Sequence, residues 1–183
     1  IIIIFSAVVL IVSLMAFALM RLTVGDTTRR GEAQRAATAA VSHLQVQSLR
    51  IERWAQQQAD SETLRDPFTR AISKARAGAA TKAADKVYEA SKKKGAPFGS
   101  RKANLILVVD AKGIALGRNH STSLMRGNNL APKHPQMFKA LASGTTGSAI
   151  WPEKHQLVSY APIRDESGKV VGGLVVGTQF NNG

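Results

Sequence analysis

Six residues in the second half of the chain have side chains that could grip a small ligand: Arg118, Lys133, His134, Trp151, Tyr160 and Thr178. Arg118 and Lys133 could hold a carboxylate, and Trp151 and Tyr160 could form apolar walls that end in a polar tip. His134 and Thr178 complete the candidate set. Plainer roles compete: the two aromatics serve equally well as core or dimer-contact residues, and either cation can simply be solvated. If the six converge, the pocket lies between a sheet face and an irregular loop over residues 118–134.

Catalysis fits the sequence less well. Residues 101–183 hold four carboxylates, Asp110, Glu153, Asp165 and Glu166, and three of them fall in expected hairpin turns. That leaves no separated pair for general acid and base work. His43, His120, His134 and His155 are scattered without ligand spacing, so no metal site is expected. The stretch Gly144-Thr-Thr-Gly147-Ser148 has the glycines of a phosphate loop but lacks the Lys and the strand-to-helix setting. No enzyme and no cofactor are therefore expected.

The 183 residues carry a formal charge of +13 and no cysteine. Residues 21–100 contain 15 basic and 8 acidic side chains and residues 101–183 contain 10 and 4, so the excess is spread along the chain. A diffuse basic surface with few aromatics does not form a nucleic-acid groove, and no nucleic-acid partner is expected. It would suit anionic lipid or wall polymer.

These side chains need a scaffold, and its centre is the run Leu105-Ile-Leu-Val-Val109. Five apolar, β-branched-rich residues read as a strand covered on both faces. Asp110-Ala-Lys-Gly113 turns the chain back into a second strand at residues 114–116. Further strands are expected at 147–151, 156–163 and 169–180, the last two joined by the similar turn Asp165-Glu-Ser-Gly168. Pro135 opens a short helix that ends near Ser143-Gly144.

Upstream, residues 1–20 carry no charge and are long enough at 1.5 Å per residue to cross a hydrocarbon core of about 30 Å. Arg21 follows directly, so a retained transmembrane helix is expected over residues 1–22 rather than a cleaved signal peptide. The arginines at 21, 29 and 30 taken alone place the rest of the chain in the cytoplasm, but the opposite flank is expected before Ile1. A long helix should continue to about residue 58, with Ala33, Ala37, Ala40, Leu44, Ile51 and Trp54 on one stripe. Its small-residue half suits pairing with a second copy, and its bulkier half suits packing on the sheet. Asp66-Pro67 is expected to interrupt the pattern, with a second helix over residues 68–77, a break at 78–81 and a third helix over 82–94. The fold class is thus α+β: an N-terminal transmembrane helix continuing into a long helix packed on a five-stranded antiparallel sheet. The expected division is 1–22 as the span, 23–100 as stalk and short helices, and 101–183 as a sheet lobe truncated at its C-terminus.

Three segments in order carry a family likeness: Leu-Val-Val-Asp-Ala-Lys-Gly at 107–113, His134-Pro135 through Ser143-Gly144-Thr-Thr-Gly147, and Ser159-Tyr-Ala-Pro-Ile163 through Gly177. Together they resemble the Cache superfamily, the PAS-like extracytoplasmic sensor modules of bacterial receptors. The resemblance implies a periplasmic, ligand-sensing domain of a membrane-anchored signal-transduction receptor, pairing as a homodimer through the long helix. In the amino-acid-sensing branch an Arg, an aromatic pair and a last-strand Asp grip the ligand. The corresponding places here hold Lys133, Gln136 with Met137, and Thr178. Without that Asp an ammonium group has no partner, so an amino acid is not expected; a small carboxylate and an empty pocket with a purely structural role stand as the two readings of the site. Two other readings are a pilin-like subunit, which would carry Glu where Phe5 stands, and a basic module binding wall polymer or anionic lipid.

Overall fold

The computed structural model describes residues 2–70, 73–99, 102–120, 125–151, 153 and 156–179, with side chains from residue 31 onward except at 73. The chain divides into two compact units, Ile1–Gln45 and Val46–Gly183. Helix α1, Ile2–Ala59, begins in the first and ends in the second. Within the first unit Ala33, Ala37, Ala40 and Leu44 are exposed. The expected membrane span rests on side chains outside the described ones. Among the described residues no helix is long and apolar enough to cross a membrane.

The second unit is built on a five-stranded antiparallel sheet. Its strands are β1 (Leu105–Asp110), β2 (Ala115–Arg118), β3 (Gly147–Trp151), β4 (Gln156–Arg164) and β5 (Val170–Gln179), in the spatial order β2-β1-β5-β4-β3. Apolar residues from Leu105 through Val109 of β1 send side chains to both faces. Ile106 and Val108 join a core with Ile51 and Ala55 of α1, while Leu105, Leu107 and Val109 join a second core with Met137 and Leu141 of α4 (Pro135–Ala142). One sheet therefore separates two cores.

The two Asp-to-Gly corners belong to this one sheet and use the same hydrogen bonds. In the first, Asp110 Oδ1 accepts from the backbone N–H groups of Lys112 at 2.9 Å and Ile114 at 2.8 Å, and Gly113 takes a φ of 81°. In the second, Asp165 Oδ1 accepts from the N–H groups of Ser167 at 2.9 Å and Lys169 at 3.0 Å and from the Ser167 hydroxyl, and Gly168 takes a φ of 83°. Each carboxylate occupies the turn's own donors, and each glycine accepts the left-handed conformation that β-carbons oppose.

The helices between α1 and the sheet differ from expectation. Helix α2 runs Glu62–Thr69 straight through Asp66 and Pro67, and α3 runs Ser73–Ser91 without a break at Gly78. Pro67, the sixth residue of α2, forgoes one backbone bond to the preceding turn, and its ring is buried, as is Leu64. In α3 the interior glycine costs about 1 kcal/mol. Burial of Ala80, Ala83, Ala84 and Val87 in the α1-side core outweighs it. The helix then stops three residues before Lys94, at Ser91, whose hydroxyl donates to the Tyr88 carbonyl at 2.7 Å.

Helix α3 touches the sheet at Gly117 of β2. A β-carbon there would overlap the backbone nitrogen of Thr81 and the carbonyl carbon of Ala80. No side chain could give way, because the obstacle is helix backbone. Gly117→Ala should therefore lower unfolding free energy by about 3 kcal/mol. Gly78→Ala, at an exposed helix position with open space around it, should raise it by about 1 kcal/mol. Urea denaturation of both variants checks the pair.

Candidate functional site

Cross-strand partners in an antiparallel sheet share a face, so the register sorts the candidate residues. Arg118 pairs with Leu107, Leu107 with Val175, Val175 with Tyr160, and Tyr160 with Gly147. Leu107, Val175 and Tyr160 all belong to the α4-side core. Arg118 and Tyr160 thus stand in one row on the α4 face, three strand spacings or about 14 Å apart. Trp151, at the end of β3, is buried in the same core. Thr178 is different: it pairs with Leu157, which lies in the α1-side core. Thr178 therefore projects away from the other candidates.

His134 and Trp151 are brought together. Their rings stack at 4.5 Å between centroids with an interplanar angle of 9°. His134 precedes the first turn of α4, where Pro135 starts the helix, and its imidazole makes no capping bond. Lys133 beside it is exposed. The imidazole is held below its ordinary pKa chiefly by burial, with Lys133 adding to the effect and Glu153 opposing it.

At the far end of the face, Arg118 sends Nη1 to the Met125 sulfur at 3.8 Å while its Nε is buried without a partner. Between the ends, the Tyr160 hydroxyl crosses over Gly147, where a β-carbon would sit 2.6 Å from it. Burial pushes the Tyr160 phenol above its ordinary pKa, and Glu52 of α1 adds to the shift.

Gln156, absent from the candidates above, belongs to the same neighbourhood. It pairs directly with Trp151, is 8% exposed, and its Oε1 is buried without a hydrogen-bond donor. The Trp151 indole Nε1, on a residue 4% exposed, is likewise buried without an acceptor. Two-residue alternation from Val158 and Tyr160 places position 156 on the α4 face, so the signal was present in the strand.

The loop after β2 runs back along that strand. Ala115 N–H donates to the Asn128 carbonyl at 3.0 Å and Leu130 N–H to the Gly113 carbonyl at 2.9 Å. This brings Leu130 onto the α4-side core. His155 and residues 121–124 lie outside the described residues. Among the described residues no group of three acids or histidines could hold a metal ion. A cleft of about 660 Å³ lies elsewhere, between α2 and the Asp165 corner, and its lining includes the charged residues Glu62, Asp66 and Glu166.

No family model matches the sequence, and no curated protein matches it. Solved structures do. The sensor domain of the Vibrio cholerae histidine kinase DctB superposes with a TM-score of 0.60 at 15% identity, covering 85% of this chain and 56% of that one. The Escherichia coli DcuS sensor domain gives a TM-score of 0.44 at 19% identity, covering 68% and 82%. An extracellular ligand binding receptor from Desulfohalobium retbaense gives 0.41 at 16%, covering 70% and 24%. The first likeness shows the fold, which is Cache-like, as the sequence resemblance implies. The chain spans about half the length of that sensor domain.

His134 yields a pH dependence with a defined sign. Its proton affinity is lowered by folding, so the unfolded chain binds the proton more readily. Its contribution to stability is complete above the ordinary histidine range and is lost as pH falls below about 6.5. Urea midpoints measured from pH 8 to pH 5 should fall less steeply in His134→Phe, which retains a ring over Trp151 but cannot titrate. Parallel curves for the two proteins would contradict this.

Proposed function

We propose that this chain is the ligand-sensing domain of a membrane-anchored bacterial signal-transduction receptor, and that its α4 face receives a small organic acid. The observation that carries the reading is the buried Trp151 indole N–H without an acceptor, on the α4 face of a Cache-like sheet and beneath the His134 ring. A carboxylate supplies that acceptor, and exposed Lys133 supplies a nearby countercharge. Tyr160, four residues along β4 from the Trp151 partner Gln156, and Arg118, at the far end of the face, stand out of reach of the same small molecule.

In this reading residues 1–22 cross the membrane and the second unit lies in the periplasm. The exposed apolar side chains Val41 and Leu44 support pairing of the long helix with a second copy. Binding acts on the receptor through the sheet, because Ile51 and Ala55 of α1 pack on its other face. The ligand can bias that packing only by as much as its affinity differs between the two states.

Thermal unfolding of the full chain against a series of small organic acids tests the reading. At a hundredfold excess over the dissociation constant, a true ligand adds about 2.7 kcal/mol. That stabilisation should vanish in Trp151→Phe, weaken in Lys133→Ala and persist in Arg118→Ala. Absence of saturable stabilisation by any acid would contradict the proposal.

A further inference from the structure

Two buried polar atoms of opposite kind belong to directly paired residues on the α4 face. The indole nitrogen of Trp151 can only donate, and the Oε1 of Gln156 can only accept. Each is shielded from solvent and neither has a partner. A buried donor or acceptor left without a partner keeps its full desolvation penalty, so both atoms call for a bonding group.

Their positions say how that group is laid out. Trp151 and Gln156 face each other across β3 and β4. The Gln156 amide leans the other way, over β5, where its Oε1 would lie 3.2 Å from a β-carbon placed on Gly177. Glycine at 177 thus leaves room beside the amide oxygen on the α4 face. From β3 to β5 is two strand spacings, about 10 Å between backbones. A short linear molecule could meet both atoms.

We infer that the ligand is an unsymmetrical acid, with a carboxylate at the Trp151 end and a hydroxyl or similar neutral donor at the Gln156 end. The inference rests on the sensor reading above and narrows it. A symmetric diacid would satisfy the indole but bring a second anionic acceptor against the Gln156 oxygen. A plain alkanoate would satisfy the indole and leave Gln156 unpaired. A hydroxy acid completes both bonds, and its hydroxyl proton goes to the amide oxygen.

The test is isothermal calorimetry on the full chain in lipid nanodiscs with three probes of matched length: γ-hydroxybutyrate, butyrate and succinate. γ-Hydroxybutyrate should bind at least tenfold more tightly than butyrate, and more tightly than succinate. In Gln156→Leu the ratio of γ-hydroxybutyrate to butyrate affinity should fall to about one while butyrate binding is retained. Tighter binding of succinate would mean that the Gln156 amide presents its NH₂ to the site, and would overturn the inference. Equal binding of γ-hydroxybutyrate and butyrate, or a preference that survives Gln156→Leu, would overturn it and leave the sensor reading standing. No binding of any probe, together with no stabilisation by other acids, would remove both.

Discussion

The structure depends on covering strands β1, β5 and β4 from both sides at once. β1 is buried from Leu105 through Val109 and β4 from Gln156 through Ile163, so neither face of these strands can be left to water. The sequence meets that demand with unlike coverings. On one face α1, α2 and α3 bring alanine-rich surfaces close to the sheet, as the contact between α3 and Gly117 illustrates. On the other, the single short helix α4 and the loop after β2 provide thinner cover built from Met137, Leu141 and Leu130.

That asymmetry separates scaffold from site. The α1-side core consists mainly of apolar side chains that pack on one another; of the buried polar residues on that side, Ser159 meets Ser148 at 2.8 Å, and Asn119 accepts from Ile106 N–H at 2.8 Å while its Nδ2 is buried without a partner. The α4 face buries three unpartnered polar atoms, Arg118 Nε, Trp151 Nε1 and Gln156 Oε1, of which the last two belong to directly paired residues. A region that leaves bonding capacity unused beneath a light cover is suited to taking up a polar molecule. The heavier face, carrying the end of α1, is suited to registering the consequence.

Much of this architecture was legible in the chain. Short apolar runs between Asp-x-x-Gly corners marked all five strands to within one or two residues, because corner chemistry is local and each Asp bonds its own turn. Pro135 and Ser143-Gly144 marked α4 for the same reason. The helices between α1 and the sheet were harder to read. Local rules assign breaks to Pro67 and to Gly78, whereas burial of Leu64 and of the alanines around Ala83 decides the outcome through distant partners. The face of Thr178 was hidden because Gly172, Gly173 and Gly177 obscure the alternation of β5. Gln156 was overlooked because its importance comes from lacking a partner, which only the packed structure reveals.

The central claim is that the face carrying α4, and not the helix-covered face, receives the ligand. The protein has two tryptophans, one on each side of the sheet: Trp54 packs with the α1-side core and Trp151 lies beneath His134. Their indole N–H resonances report separately on the two faces in a proton–nitrogen NMR spectrum. Titration with a stabilising acid should shift the Trp151 resonance saturably and leave that of Trp54 in place at low occupancy. A titration that moves Trp54 while Trp151 stays fixed would contradict the account.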